Sequence, residues 1–168
     1  MLKVNPKILA TLLPLIIVAL FNLGCKAREI SGNYPMDTLQ SAPEQIEVQN
    51  TKLTLETYLW RDFMPISPPD GKPLIAVIRI KAQDSMEFPT SIISDKLWII
   101  NGQEIWETEF TNEEQIASNS TPSLLEKVAR GGPKWESGVE VDVIIRIIDE
   151  NNHTYLLKTS NQLINRTD

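Results

Sequence analysis

The chain has little of the chemistry that metal centres and disulfide frameworks require. Its 168 residues include one cysteine and one histidine, whereas a zinc site takes about four nitrogen or sulfur ligands. A lone cysteine also has no partner for an intramolecular disulfide. The composition therefore excludes a zinc centre and a disulfide-linked scaffold, and we expect no cofactor.

Motifs of nucleotide and hydrolase sites are absent as well. The seven glycines form no phosphate-binding loop, no G-x-G-x-x-G and no G-x-S-x-G. Loop 149–152 begins like a calcium loop, but Thr154 and Ser160 stand where a glycine and a bidentate carboxylate are needed. His153, beside this turn, is interpreted as a solvated loop residue. A non-enzymatic protein is predicted, and a hydrolase or carbohydrate-active protein with a carboxylate pair is the alternative.

Positive charge is scarce too. The chain carries 16 Lys and Arg against 22 Asp and Glu, for a net charge of −6. A surface of this sign repels phosphate backbones, so nucleic acid is excluded as a partner. The acidic stretch after the middle of the chain is interpreted as a solvated face, with a basic partner or a cation as the alternative. It comprises Glu107, Glu109, Glu113 and Glu114.

The first 25 residues have the pattern of an export signal. Two lysines precede an apolar run over residues 8–23, which ends at Gly24 and Cys25. This run is shorter than the roughly 20 residues that a membrane-spanning helix needs, and Pro14 interrupts helical hydrogen bonding. Residues 1–24 are therefore predicted to be a cleaved signal peptide.

The end of this leader resembles the lipobox of bacterial lipoproteins. Leu23, Gly24 and Cys25 carry the resemblance, which departs from the family in having Asn22 where leucine is usual and Leu23 where a small residue is usual. It implies that Cys25 receives diacylglycerol and, after cleavage, an acyl chain such as palmitate. Two or three acyl chains hold a protein on a membrane, because each buried methylene contributes about 0.8 kcal/mol. An ordinary secretory signal that leaves Cys25 as a free thiol is the alternative.

The resemblance also implies a location. A lipoprotein of this kind lies in the bacterial cell envelope, on the periplasmic or surface side, and meets the membrane through its lipid anchor. Lys26 follows the cysteine, where aspartate would favour inner-membrane retention, so the outer membrane is preferred. Removal of residues 1–24 takes away two basic residues and no acidic ones, which leaves a net charge of −8.

Composition divides the remainder into two parts. Residues 25–47 are polar and contain Gly32, Pro35 and Pro43 without an apolar pattern, which predicts a flexible tether with a reach of about 25 Å. Residues 48–168 suffice for one domain with a single core.

Apolar side chains alternate with polar ones through most of this domain. The alternation predicts strands over 52–59 and 74–81, a hairpin over 96–110 and a second hairpin over 139–159. Asn101 and Gly102 are expected to form the first turn, of type I′. A last extended piece is predicted over residues 162–165.

One segment has helical signals. Thr121 or Ser123 is a candidate cap, Ser123 and Glu126 have capping-box spacing, and Gly131 is a candidate stop, so a short helix is expected. Six or seven strands with one helix predict an all-β fold, an antiparallel β-sandwich of immunoglobulin-like topology.

Two segments lack the alternating pattern. Segment 60–73 contains four prolines and the side chains most common in protein interfaces, so Trp60, Arg61, Phe63 and Met64 are candidate contacts for a partner protein. The alternative is that this segment plugs the end of the sandwich.

The other segment, 130–138, is glycine-rich. It is interpreted as a corner before the next strand, with Trp135 packed under the rim of the sandwich, rather than as a ligand site. Residues 60–65 and 68–73 also resemble segments of bacterial envelope proteins, from which no activity follows. The sequence thus predicts an envelope lipoprotein that binds or scaffolds another envelope protein.

Overall fold

The computed structural model describes residues 34–83, 88–111 and 124–168. The predicted signal peptide, Cys25 and residues 26–33 of the predicted tether lie outside the described residues, as do Glu113, Glu114 and the caps proposed at Thr121 and Ser123.

The described residues are mostly β-strand, which confirms the all-β prediction. One short helix precedes eight strands: α1 (Met36–Gln40), β1 (Gln45–Val48), β2 (Thr51–Asp62), β3 (Leu74–Ala82), β4 (Ile93–Asn101), β5 (Glu104–Glu109), β6 (Leu124–Gly132), β7 (Glu140–Ile148) and β8 (Thr154–Thr167).

The folded body begins at Tyr34, earlier than the predicted start at residue 48. Helix α1 and all but the last residue of strand β1 fall within the residues assigned to the tether. Tyr34 and Leu39 are buried, and the main-chain N–H of Lys158 donates to the carbonyl oxygen of Pro43 at 2.9 Å. A few apolar residues and a main-chain hydrogen bond thus attach this mostly polar segment to the sheet.

The strands form one curled sheet in the order β5-β4-β7-β8-β2-β3-β6, with β1 beside β2. Among the described strands all pairs are antiparallel except β2 and β8, where Leu59 lies opposite Ile164 in a parallel pair. The sheet is therefore mixed, which corrects the expectation of a wholly antiparallel arrangement. The sheet curls into a half-barrel. Its two edge strands, β5 and β6, approach each other where the N–H of Thr111, just after β5, donates to the carbonyl oxygen of Val128 in β6 at 2.9 Å.

The curl divides the sheet into two halves that share one core. The first half consists of β2, β3 and β6, and the second half of β5, β4, β7 and β8. Inward-facing side chains of both halves form this main core, and its fully buried members include Leu53, Leu59, Ile78, Ile80, Leu97, Ile99, Val143, Ile145, Ile147, Leu157 and Ile164.

The predicted alternation is confirmed in β2 and β3. Leu53, Leu55 and Leu59 are buried along β2, while Glu56 and Tyr58 on the other face are exposed. Side chains in a strand alternate between the two faces of the sheet, so one face of each strand enters the core.

The hairpin of β4 and β5 is confirmed, but its turn is shifted by one residue. Asn101 pairs with Glu104, so Gly102 and Gln103 form the two-residue loop. Gly102 has a φ of 60° at the first central position, which is typical of a type II′ turn instead of the expected type I′.

A tight turn of the other type occurs where none was predicted. Gln49 and Asn50 have φ values of 52° and 61° between the paired residues Val48 and Thr51. Positive φ at both central positions defines a type I′ turn, which joins β1 to β2.

The predicted helix near residues 121–131 is wrong for the described part of that segment. Residues 124–132 form strand β6, which pairs with β3. Leu125 and Ala129 enter the core, and their spacing of four is shared by a helix face and a strand face. The capping-box residue Glu126 instead accepts a hydrogen bond from Arg79 Nε at 2.7 Å across the pair.

The hairpin of β7 and β8 is confirmed, and β8 is longer than predicted because it includes the piece expected over 162–165. The register shifts between Val141 and Val143, opposite Asn161, which has a φ of 55°. The main-chain N–H of Asn161 donates to Asp142 Oδ1 at 3.2 Å. This bulge bends β8. The strand pairs with β7 through Leu163 and with β2 from Ile164 onward.

A second, smaller core lies on the outer face of the second half. Segment 34–42 covers the apolar residues Trp98, Ile100 and Ile144 with its own Tyr34 and Leu39. The rings of Tyr34 and Trp98 meet edge to face with centroids 5.3 Å apart. The N-terminal segment is therefore part of the domain's hydrophobic packing.

Candidate functional site

Segment 60–73 is divided between a strand and a loop. Strand β2 extends through Asp62, so Trp60 and Arg61 are strand residues whose side chains lie on opposite faces. The loop itself covers residues 63–73 and leads into β3. The four candidate contact residues therefore have different surroundings.

Arg61 is buried, with only 4% of the residue exposed. Its Nε donates to the carbonyl oxygen of Lys72 at 3.0 Å, and its Nη2 donates to that of Asp70. Its Nη1 donates to the carbonyl oxygens of Lys134 and Trp135 at 3.1 and 2.8 Å. A guanidinium suits this role because its donors form a rigid planar fork. Arg61 thus fastens the loop to the chain before β7, and its polar atoms are used inside the body.

Asp62 joins the two ends of the loop. Its Oδ2 accepts a hydrogen bond from Lys72 Nζ at 2.7 Å, and its Oδ1 accepts one from the main-chain N–H of Met64 at 2.9 Å. The bond from Lys72 and then that from Met64 hold the pKa of Asp62 below its usual value. The carboxylate is consequently ionised at neutral pH, which maintains both contacts.

Phe63 is enclosed between two guanidinium groups. The carbon centres of Arg61 and Arg166 lie 4.9 and 3.8 Å from its ring centroid, within cation–π range. Gly71 has a φ of 73°, and a Cβ at that position would lie 2.6 Å from the ring. Only glycine therefore fits there, because the Phe63 ring occupies the space next to Gly71.

The loop tip, defined as residues 64–66, points into solvent. Met64 is 50% exposed and Ile66 is 91% exposed. Main-chain hydrogen bonds from Ser67 to Met64 at 2.7 Å and from Gly71 to Pro68 at 2.8 Å close two turns in this loop. The tip is an apolar projection on a braced loop.

The glycine-rich segment 130–138 meets this loop, so the two segments singled out in the sequence come together. Lys134 Nζ lies 2.6 Å from Asp70 Oδ2, and the hydrogen bond from Lys134 lowers the pKa of Asp70. Trp135 packs partly against the main core, and its Nε1 donates to Glu104. The segment forms a corner against the loop, as interpreted from the sequence.

Trp60 lies on the outer face of the first half. Its ring stacks on that of Tyr58 with centroids 5.2 Å apart and an interplanar angle of 34°. Trp60 and Met64 are thus accessible, whereas Arg61 is buried and Phe63 is enclosed. Tyr58 and Ile66 were not predicted as candidate contacts. For Tyr58 a signal was present, because its spacing of two from Trp60 places both side chains on one face of the strand.

A second cluster of polar groups holds the turn between β7 and β8. Asp149 is buried, and its Oδ1 accepts main-chain hydrogen bonds from Asn151 and His153, both at 2.9 Å. Its Oδ2 lies 3.1 Å from His153 Nδ1 and accepts from Tyr155 Oη at 3.2 Å. Burial raises the pKa of Asp149, but the hydrogen bonds from His153 and Asn151 outweigh it and the pKa is lowered. The turn is therefore built around a carboxylate.

His153 and Tyr155 complete this cluster. The side chain of His153 is 67% exposed, in agreement with its interpretation as a solvated loop residue. Burial and then the hydrogen bond to Asp149 raise the pKa of Tyr155. Within residues 34–83, 88–111 and 124–168, no three His, Cys, Asp or Glu side chains are grouped so that they could hold a metal ion.

Comparisons of the chain with protein-family models, with curated proteins and with solved structures find no match. In the described part of the chain, no helix has both the length and the apolar character needed to cross a bilayer.

Proposed function

We propose that the protein is a lipid-anchored component of the bacterial cell envelope whose folded body binds another protein without catalysing a reaction. The observation that carries the binding proposal is the loop tip, where Ile66 is 91% exposed and Met64 is 50% exposed. Exposed apolar side chains contribute free energy only when a partner removes them from water.

The bracing of the loop supports this proposal. Arg61, Asp62 and Phe63 fix the loop from inside, through four carbonyl oxygens, a salt bridge with Lys72 and two cation–π contacts. Ordering a mobile loop on binding costs free energy, about 0.5–1.5 kcal/mol for each immobilised side chain. A loop that is already ordered avoids much of this cost.

The proposed architecture is an immunoglobulin-like sandwich. Strand order supports it, because β2-β3-β6 and β4-β7-β8 correspond to the A-B-E and C-F-G strands of that topology, with β5 as an added edge strand. The parallel pair of β2 and β8 then joins the first and last strands of the two sheets. Loops at the ends of such sandwiches are their usual contact sites.

The lipobox resemblance supports attachment through Cys25. Eight residues separate Cys25 from Tyr34, the first residue of the folded body. A chain of that length spans at most about 29 Å. The body would therefore work close to the bilayer, on the periplasmic or surface side, with the outer membrane preferred.

Substitution of Ile66 by aspartate tests the binding surface. The change should leave the fold intact, because the side chain contacts solvent, and should reduce capture of the partner from detergent-solubilised envelope fractions by about tenfold or more. Quantitative mass spectrometry after capture with the full-length protein measures the change.

Ile93→Asp is the matched control, since Ile93 is also an exposed isoleucine, 55% exposed, at the start of β4. Capture should be unchanged for this variant. Equal capture by the wild-type protein, I66D and I93D would contradict binding through the loop tip.

Cys25→Ser tests the anchor. The variant should move from the membrane fraction to the soluble fraction and should lose labelling by a fatty-acid probe. Lys26→Ser serves as the control and should remain on the membrane. Retention of the C25S protein on membranes, with labelling intact, would refute lipidation at this residue.

No specific contact among the described residues favours the alternative of a hydrolase with a carboxylate pair.

A further inference from the structure

A group of apolar side chains crosses the outer face of the first half and continues onto the neighbouring strand β8. We name it the outer stripe, and it consists of Leu163, Tyr58, Val77 and Val128 in one row and Trp60 and Ile75 in the next. Tyr58 pairs with Val77, Val77 pairs with Val128, and Trp60 pairs with Ile75. Leu163 lies beside Tyr58 because the following residues, Ile164 and Leu59, are paired. The stripe therefore continues over four adjacent strands.

The outer stripe does not belong to either core. Its members lie on the strand face opposite to that of Leu59, Ala76 and Ile78, and they are absent from both buried clusters. Tyr58 is 45% exposed and Leu163 is 49% exposed. The largest contiguous apolar patches on protein surfaces are often functional, whereas single exposed apolar residues are common everywhere.

Three ion pairs flank the stripe, and Arg130, which lies beside Ile75, has an interaction of its own. Lys81 Nζ lies 2.5 Å from Glu56 Oε1, and Arg79 Nε lies 2.7 Å from Glu126 Oε2. On the other side Lys72 pairs with Asp62 at 2.7 Å. The opposite charges within each pair cancel locally, although the chain as a whole has a net charge of −6. The stripe therefore offers apolar contact without a field that would select a strongly charged partner.

The size of the stripe restricts its occupant. Four strands spaced by about 4.8 Å and two rows along them give a footprint of about 19 by 13 Å, or about 250 Å². A stable interface between two globular proteins buries about 800 Å² on each partner. The stripe is about a third of that area, which argues against a second copy of this chain and favours a short peptide segment. A strand of about six residues or a helix of about twelve spans 19 Å.

The same sheet shows how such a segment binds. On the second half, residues 34–42 bury Tyr34, Leu39 and Ala42 on an outer face that carries Trp98, Ile100 and Ile144. One aromatic, one leucine and one alanine side chain on a short segment of this chain thus cover a tryptophan-containing face of the sheet. The outer stripe presents comparable chemistry, with Trp60 and Tyr58 as its aromatic residues.

We propose that the outer stripe binds a short amphipathic segment of the partner protein, about six to twelve residues long, through an aromatic or leucine side chain placed on Tyr58 and Trp60. This inference rests on the proposed function, because it assigns a second contact on the same partner. The segment carries little net charge, and its binding depends only weakly on salt.

Photocrosslinking in the full-length, membrane-attached protein tests the inference. p-Benzoylphenylalanine replaces Tyr58 in one variant, Ile66 in a second and the exposed Glu150 in a control. The Tyr58 position should give adducts within one contiguous segment of a single partner, and Glu150 should give none. A synthetic peptide of that segment should then bind the wild-type protein, followed by tryptophan fluorescence. Tyr58→Asp should weaken its binding by about tenfold or more, and a change from about 50 to about 300 mM salt should alter it less than twofold.

The outcomes separate this inference from the proposed function. Adducts from position 66 but none from position 58 would overturn the peptide site and leave the binding module intact. Adducts from neither position would overturn both. Adducts from position 58 to a second copy of the chain, to lipid alone or to scattered partner segments would overturn the peptide site, as would a synthetic peptide that binds wild-type and Y58D proteins equally.

Discussion

The outer faces of the two halves differ in what covers them. On the second half, Trp98 is 1% exposed because the segment that contains Leu39 packs over it. On the first half, Trp60 and Tyr58 stack on each other, and Tyr58 remains 45% exposed. The same sheet therefore has one outer face that is covered by a segment of the chain and one outer face that is partly exposed. The covered half shows that a short segment of this chain packs on outward-facing apolar residues of the sheet, whereas the first half leaves such residues partly exposed.

Matched tryptophan substitutions give the largest expected contrast between the halves. Trp98→Ala should lower the free energy of unfolding by about 3–5 kcal/mol, because it removes a buried ring from the smaller core. Trp60→Ala should cost about 1 kcal/mol or less, because its ring is partly exposed. Urea denaturation followed by circular dichroism measures both values. Similar losses for the two variants would remove the distinction between a covered and an uncovered half.

Arg61→Met tests whether Arg61 holds loop 63–73 in place on the first half, which has no covering segment among the described residues. The variant leaves the carbonyl oxygens of Asp70, Lys72, Lys134 and Trp135 without the guanidinium that they contact, and should cost about 2–4 kcal/mol. The loop should also become more sensitive to protease than in the wild-type protein. Arg166→Met, which removes only one of the two cations beside Phe63, is the control with the smaller expected loss. An equal effect of both changes would argue against Arg61 as the clamp.

Asp149→Asn should have the smallest effect on stability of the substitutions considered. It tests the turn between β7 and β8, which belongs to the covered half. The pKa of Asp149 is lowered in the folded state from its ordinary value of 3.8. Its ionised form therefore contributes stability that is fully present above about pH 4 and is lost as the pH falls through the lowered folded-state value. The thermal midpoint of the variant should lie below that of the wild-type protein at pH 7, and the gap should close toward pH 2. A gap that is constant over this range would contradict a role for the charge.

The alternation of side chains was sufficient to predict most strands. Leu53, Leu55 and Leu59 show why, since their burial follows directly from a period of two. The same reasoning failed at β6, where Leu125 and Ala129 satisfy a strand and a helix equally, and pairing with β3 decides between them. Local signals also could not predict that Tyr34 and Leu39 fold back, because the residues that they contact, Trp98 and Ile144, are distant in sequence.

The surroundings of the candidate contact residues could be predicted from the sequence only in part, because some of their contacts are also distant in sequence. Composition drew attention to Trp60 and Met64, which are accessible, but also to Arg61, which is buried. The carbonyl oxygens that bury Arg61 include those of Lys134 and Trp135, which no local pattern connects to it. The outer stripe requires the register of β8, β2, β3 and β6, and this information is not contained in any single strand.

The change of partner along β8 affects the order in which the domain assembles. β8 supplies partners to β7 through Leu163 and to β2 from Ile164 onward. Neither half completes its backbone pairing until β8 is in place. Such non-local pairing slows folding, and loss of the final residues, from Ile164 onward, would leave β2 with an open flank ready to pair with a neighbouring molecule.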